Sequence, residues 1–199
     1  MDPLWADRLL LRVVDDAMAE VSRRAGEHLA CRAGCTECCI GPFPVTALDA
    51  LRLRQGLKEL AARDPARAAE VRRRAAEAME AMRASFPGDA AAGRLDDEAA
   101  PEHRFWTEFG GAPCPALDLS TGLCDLYAHR PLTCRGFGPP GEIDGRKLPP
   151  CRLCFQNAAE EEIEACRVRL DPDDIQALIL AEMGDPADTV IAAALSLDL

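Results

Sequence analysis

Aromatic residues are scarce in this chain, with two tryptophans, one tyrosine and six phenylalanines among 199 residues. Positive charge is scarce too: 23 Lys and Arg stand against 34 Asp and Glu, a formal net charge of −11. A chain with no basic excess and little stacking surface lacks what phosphate and base recognition require, so nucleic acid is excluded as a partner. No apolar run approaches the roughly 20 residues needed to cross a bilayer, so no membrane association is expected. There is no glycine-rich phosphate loop, no nucleophile elbow and no paired carboxylates at a recognisable spacing; Gly41, Gly110, Gly111 and Gly141 sit in irregular contexts. Nucleotide-dependent and conventional hydrolytic mechanisms are disfavoured on that ground. The start, Met1-Asp2-Pro3-Leu4-Trp5-Ala6-Asp7, is acidic where a secretory signal is basic, and the expected location is the cytoplasm.

Against these shortages stands an abundance of cysteine. Cys31, Cys35, Cys38 and Cys39 form one run, and Cys114, Cys124, Cys134, Cys151 and Cys154 follow far downstream, with none between Ile40 and Pro113. A disulfide framework belongs to an oxidising compartment and to domains too small to bury a core, and neither description fits. Isolated buried thiols would account for one cysteine, but not for two side by side in a tight cluster. Nine soft ligands in two groups of short spacing read as thiolates converging on metal.

Outside the cysteines the periodicity is helical, and the expected fold is mainly α: one domain over 1–199 with an irregular Cys/Pro/Gly-rich metal-binding lobe. Asp precedes Pro at Asp2-Pro3, Asp64-Pro65, Asp171-Pro172 and Asp185-Pro186, each before a helical stretch, as an aspartate N-cap with proline in the first turn would be. In the first helix Trp5, Leu9, Val13 and Ala17 recur one turn apart, with Leu10, Val14 and Val21 widening the apolar stripe. A second helix begins at Thr46, with Asp49 closing a capping box, and buries Leu53, Leu57 and Leu60. Val71, Ala75, Ala78, Met79 and Met82 form a third stripe. Ile175, Leu178 and Ile179, then Val190, Ile191, Ala194 and Leu195, repeat the pattern across Gly184. From Phe86 to Pro113 a loop is expected, carrying one short helix or aromatic anchor at Glu102-His103-Arg104-Phe105-Trp106. From Cys114 to Cys154 the prolines favour irregular backbone that buries few side chains of its own, so that coordination would supply the ordering free energy. Glu160, Glu161, Glu162, Glu164, Asp171, Asp173 and Asp174 read as a solvated helical face, with a surface for a basic partner as the other reading.

The spacing can be read as coordination chemistry. Three residues between Cys31 and Cys35, then two between Cys35 and Cys38, let a turn aim three sulfurs at one point. Adjacent side chains diverge by about 100° in a helix, so Cys38 and Cys39 are not expected as two terminal ligands of one ion. Cys39 then serves a second metal or a polynuclear site, or is a packed thiol. Cys151 and Cys154 make a C-x-x-C unit, read as a chelate rather than as a redox dithiol. Four thiolates on a divalent ion leave net negative charge, and Arg130 and Arg135 are the candidate cations that offset it. Cys166, alone in a helical run, is a core or surface thiol rather than a ligand. His28, His103 and His129 lack ligand spacing of their own.

These residues resemble a known family. Cys31-x3-Cys35-x2-Cys38-Cys39, Cys114-Pro115-Ala116-Leu117, Cys124-Asp125-Leu126-Tyr127, Arg130-Pro131 and Cys134-Arg135-Gly136-Phe137 are similar to the YkgJ cysteine-cluster family of zinc- or iron-chelating domains. The resemblance covers about Cys31 to Cys154 (31–154). A helical insert over 46–104 carries no signature, and the carboxyl-terminal helices over 171–199 lie outside it. It implies the nine-cysteine ligand set, and it singles out Tyr127, Arg130, Pro131 and Arg135 without stating their role. Similar domains occur in flagellin lysine N-methylases, where an iron-sulfur cluster is implied. Two functions therefore stand open: a protein that chelates zinc or iron, structurally or as a store, with a protein or peptide partner; or an iron or iron-sulfur enzyme for redox chemistry or for modification of a protein or peptide.

Overall fold

The computed structural model describes residues 3–96, 104–143, 145–184 and 186–197. It is mainly α, with eight α-helices among the described residues and only short strands. In chain order they are α1 (Pro3–Ala25), α2 (Ala47–Arg63), α3 (Pro65–Met82), α4 (Arg104–Glu108), α5 (Leu132–Arg135), α6 (Glu160–Ala165), α7 (Ile175–Glu182) and α8 (Ile191–Ser196). The chain divides into two compact units, Met1–Cys35 with Leu132–Gly184, and Thr36–Pro131 with Asp185–Leu199. The division falls inside the cysteine run, between Cys35 and Cys38.

The first unit is organised by α1, which packs on α5, on α7 and on the strand Val168–Arg169. Its buried side is Ala6, Leu10, Val14, Val21 and Ala25, and they meet Leu132, Val168, Leu170 and Ile179 in the core. Trp5 and Leu9 lie instead on the exposed side, 52% and 42% accessible. The expected stripe is thus corrected: the residues taken as its widening edge are its centre. Leu178 is likewise exposed while Ile179 is buried. Arg135 donates to both oxygens of Asp15 at 2.7 and 3.0 Å, tying α5 to α1. A three-stranded sheet runs Arg146–Leu148, Gly141–Ile143, Val168–Arg169, the first pair antiparallel and the second parallel. Gly136 passes so close to Leu170 that an added Cβ would stand 2.1 Å from its Cδ1. Glu160, Glu161, Glu162 and Glu164 lie on an exposed helix, α6, where Glu164 pairs with Lys147 and Arg167, whereas Asp171, Asp173 and Asp174 fall in the turn ahead of α7.

The second unit is built on α2, α3 and α8, packed on one another. Thr46 caps α2 by accepting from the Asp49 amide at 3.2 Å, and Asp64 caps α3 by accepting from the Arg67 amide at 3.0 Å with Pro65 in the first turn. The other Asp-Pro pairs behave differently. Asp171 accepts from the amides of Ile175 and Gln176, so its helix starts three residues later than the device implied. Pro186 leads into the strand Thr189–Val190 before α8 begins, and Asp2 and Asp185 lie outside the described residues. That strand pairs with Pro44–Val45, just ahead of α2. Leu48, Leu53, Leu57 and Leu60 of α2 are buried, as are Val71, Ala75, Met79 and Met82 of α3 and all of Ile191–Leu195. Phe105 of α4 is fully buried among Met79, Met82, Phe86, Leu95 and Val190, the aromatic anchor expected there. Burying these side chains contributes about 1.5–3 kcal/mol each.

The stretch from Cys114 to Cys154 buries more than expected. Leu117, Leu126 and Leu132 are each no more than 2% exposed, and Ala116 is buried with them. Prolines prevented long helices there but not short hairpins, which bring alternate side chains inward: Leu117–Asp118 pairs with Leu123–Cys124.

Candidate metal centres

The nine candidate cysteines fall into the two units, Cys38, Cys39, Cys114 and Cys124 in the second and Cys31, Cys35, Cys134, Cys151 and Cys154 in the first. None of the ten cysteines is disulfide-bonded in the structure.

In the second unit every candidate ligand sits on backbone that is itself paired. Cys38 and Cys39 occupy a one-turn 3-10 helix, Glu37–Cys39, and the Cys39 carbonyl accepts from the Cys114 amide at 2.8 Å. The ladder continues through the Ile40–Pro113 bridge and the Gly41 amide donating to Ala112 O at 2.7 Å. Cys124 ends the hairpin, where the Asp125 amide donates to Ala116 O at 2.7 Å. Side chains of α3 then hold this hairpin. Arg74 donates to Asp125 at 2.6 Å and to the Pro115 carbonyl at 2.9 Å, while Arg67 bridges Asp125 and Asp118. The Asp125 side chain is 1% exposed and that of Arg74 19%, so the carboxylate is held out of water while the arginine keeps partial access to it.

The sulfurs in this unit lie within one another's fields. Cys38 and Cys39 Sγ are 4.0 Å apart. Tetrahedral zinc with bonds of about 2.3 Å spaces its sulfurs by about 3.8 Å. The two sulfurs thus stand closer than the divergence of adjacent side chains led us to expect, although a 3-10 turn separates adjacent side chains by about 120°. The Cys39 thiol is pushed far up by its hydrogen bond with Cys38 first, then by burial and by Cys38, Cys114 and Cys124. Cys38 is lowered to about 6, chiefly by the same hydrogen bond and further by the Arg130 guanidinium. Burial pushes Cys114 up to about 12, partly opposed by Arg74, and raises Cys124, opposed by Arg130. Arg130 lies over the Tyr127 ring at 3.6 Å, and its carbonyl accepts from Arg52, which forms a buried ion pair with Asp49 at 2.6 Å.

In the first unit the candidates Cys31, Cys35, Cys151 and Cys154 lie outside helix and strand. The Cys35 amide donates to Arg32 O at 3.0 Å and the Cys154 amide to Cys151 O at 2.8 Å. The Cys151 amide donates to Gly138 O at 2.9 Å, and Phe155 to His28 O at 2.7 Å. Gly138 adopts φ +127°, open to glycine alone, and a Cβ there would stand 2.8 Å from Cys31 Sγ. Cys31 is an exposed residue whose sulfur is covered on that one side; this desolvation comes first, then Cys154, Cys35 and Cys151, in pushing its thiol up to about 12. Cys154 is buried, and Cys134 lies half-buried on α5.

Among the described residues no three His, Cys, Asp or Glu side chains already surround a common point at coordinating distance. The donors present still suit a soft cation: four thiols in mutual contact or field, one pair at nearly tetrahedral spacing, and cationic Arg130 and Arg74 acting on three of them. Cys166 is buried at the end of α6 and figures in neither set of sulfur interactions described above. His28 stacks on Phe155 with centroids 5.4 Å apart, and His129 Nε2 stands 3.0 Å from Glu59. His103 lies outside the described residues. Arg74 and Asp125 were missed from sequence: 51 residues separate them, and nothing local to either signals the pair.

The class these observations define is a metal-chelating, cysteine-cluster domain. The chain belongs to the CxxCxxCC family, described as "Putative zinc- or iron-chelating domain", whose model matches residues 30–150. Three residues rather than two separate Cys31 from Cys35, and Cys151 and Cys154 lie just past the matched range. Neither a curated protein nor a solved structure matches the chain. No helix among the described residues is long and apolar enough to cross a membrane.

Proposed function

We propose that the chain chelates two metal ions through thiolates, one in each unit, as a zinc or mononuclear iron protein in which metal orders the cysteine-bearing segments. One ion takes Cys38, Cys39, Cys114 and Cys124. The other takes Cys31, Cys35, Cys151 and Cys154, with Cys134 as the fifth candidate. The observation that carries this reading is the 4.0 Å separation of Cys38 and Cys39 Sγ. Sulfurs that close suit two positions on a single ion, whereas in a four-iron cluster each cysteine serves a different iron. A bound ion would replace the thiol protons, and Arg130, lying over Tyr127, would offset part of the resulting negative charge.

Four sulfurs close the coordination shell, so the reading is of a chelating protein without chemistry at the metal, and its cation-poor surface suits a protein or peptide partner rather than nucleic acid. Elemental analysis of anaerobically purified protein tests the reading. About two equivalents of zinc or iron are expected from two closed tetrads, with no inorganic sulfide. Acid-labile sulfide, or metal content unchanged in Cys35→Ser and Cys124→Ser variants, would refute it.

A further inference from the structure

Resting on that two-ion reading, we infer that the two centres differ in function: the one at Cys38, Cys39, Cys114 and Cys124 is structural, and the one at Cys31, Cys35, Cys151 and Cys154 exchanges its soft divalent cation with external thiol or chelating donors.

A ligand can leave only if the backbone that carries it moves or its side chain turns away. In the second unit, the chain carrying Cys39 is hydrogen-bonded to the chain carrying Cys114, and the hairpin carrying Cys124 is tied to it through the Asp125 amide and Ala116. Arg74 reaches that hairpin twice, at Asp125 and at Pro115, and Arg67 adds Asp125 and Asp118. Cys114 is itself buried. Releasing one sulfur therefore strains a paired backbone and an ion pair whose carboxylate is buried, and segments so restrained open rarely.

In the first unit the residue at the outer position is Cys31, exposed, just ahead of the turn that the Cys35 amide closes on Arg32 O, with its side chain hydrogen-bonded to Cys154. Gly34 beyond it takes φ +83°, and Gly138 covers the Cys31 sulfur on one side with backbone alone. A departing Cys31 thiolate can reach solvent and take up a proton there, while an incoming donor takes the vacated bond; no electron changes hands. Cys154, buried, and Cys151, bonded to Gly138, stay in place as anchors.

Full-length protein loaded with zinc and mixed with excess chromophoric chelator tests this. Two phases of equal amplitude are expected, the second at least about tenfold slower, the gap that one restraining ion pair would add to the barrier. Cys31→Ser should remove the fast phase and keep the slow one; Arg74→Met should accelerate the slow phase and leave the fast one unchanged. Fewer than two equivalents bound at the outset would refute the two-ion reading and this inference with it. Two equivalents released at one rate, a fast phase surviving in Cys31→Ser, or a slow phase indifferent to Arg74→Met would overturn the inference alone.

Discussion

Cys114 is buried on a backbone-paired segment and lies under the influence of an arginine reaching down from α3; Cys31 is exposed ahead of the Arg32–Cys35 turn, its sulfur lying beside Gly138 and hydrogen-bonded to Cys154. The two sulfurs have thiols raised to the same value, about 12, by the same first cause, desolvation. Similar chemistry is thus reached with different mechanical support. One set of ligands is braced by helices from the insert that carries no cysteine, and the other by the turns that connect it.

The largest effect expected from this contrast is at the braced centre. Cys114→Ser should lose about one equivalent of metal and, because coordination free energy there is also folding free energy, should make Thr36–Pro131 markedly protease-sensitive. Cys31→Ser should lose a similar amount of metal with little change in proteolysis. Equal protease sensitivity in the two variants would break the comparison. Next in size is the brace itself. Asp125→Ala leaves Arg74 and Arg67 without the carboxylate they share, but both arginines keep access to water, so a loss of about 2 kcal/mol is expected in denaturant unfolding of the metal-loaded protein. A change below about 0.5 kcal/mol would place the pair among ordinary surface charges.

Much of this was legible from the residues and some was not, for reasons that differ by element. The caps at Thr46 and Asp64 depend on atoms within three residues, so the sequence holds all of the information. In α1 apolar residues cover more than half of the circumference. Periodicity there identifies a helix, but whether Leu9 or Leu10 faces inward is decided by α5 and α7, far along the chain. The cysteine spacing offered nine candidate ligands; how they divide between Cys35 and Cys38 depends on which later strand pairs with which, and no local pattern encodes that. The closeness of the Cys38 and Cys39 sulfurs is a matter of side-chain rotamers, which backbone periodicity does not encode. Residues 46–104 carried no motif yet supply Arg67 and Arg74, because a brace needs only a charge at the right place on a helix.

A smaller effect, which sharpens the comparison, is the pH dependence of metal affinity. A thiol raised to about 12 keeps its proton at neutral pH, so binding must expel it; affinity falls as pH falls, by up to about tenfold per unit for each proton released. Cys38, lowered to about 6, is largely ionised at pH 7, so its centre releases one proton fewer there. Zinc competition titrations between pH 6.5 and 8 on the Cys31→Ser and Cys124→Ser variants, each leaving one centre, should give a shallower slope for the centre that contains Cys38. A steeper slope there would mean that Cys38 does not carry the low value.

The smallest effect is expected at Cys166, which is 6% exposed beside Val168 and Leu170 in the first unit. Truncation to alanine removes one buried sulfur from an apolar site, a cost of about 1 kcal/mol, and leaves both groups of ligands untouched. Metal content and both phases of zinc release should therefore match the parent protein. The variant isolates packing from chelation within the unit that holds Cys31: a general loosening of that unit would accelerate the fast phase, whereas a ligand turn that opens by itself would not respond. An accelerated fast phase in Cys166→Ala would assign the ease of exchange to the core of the first unit rather than to the turn at Cys31.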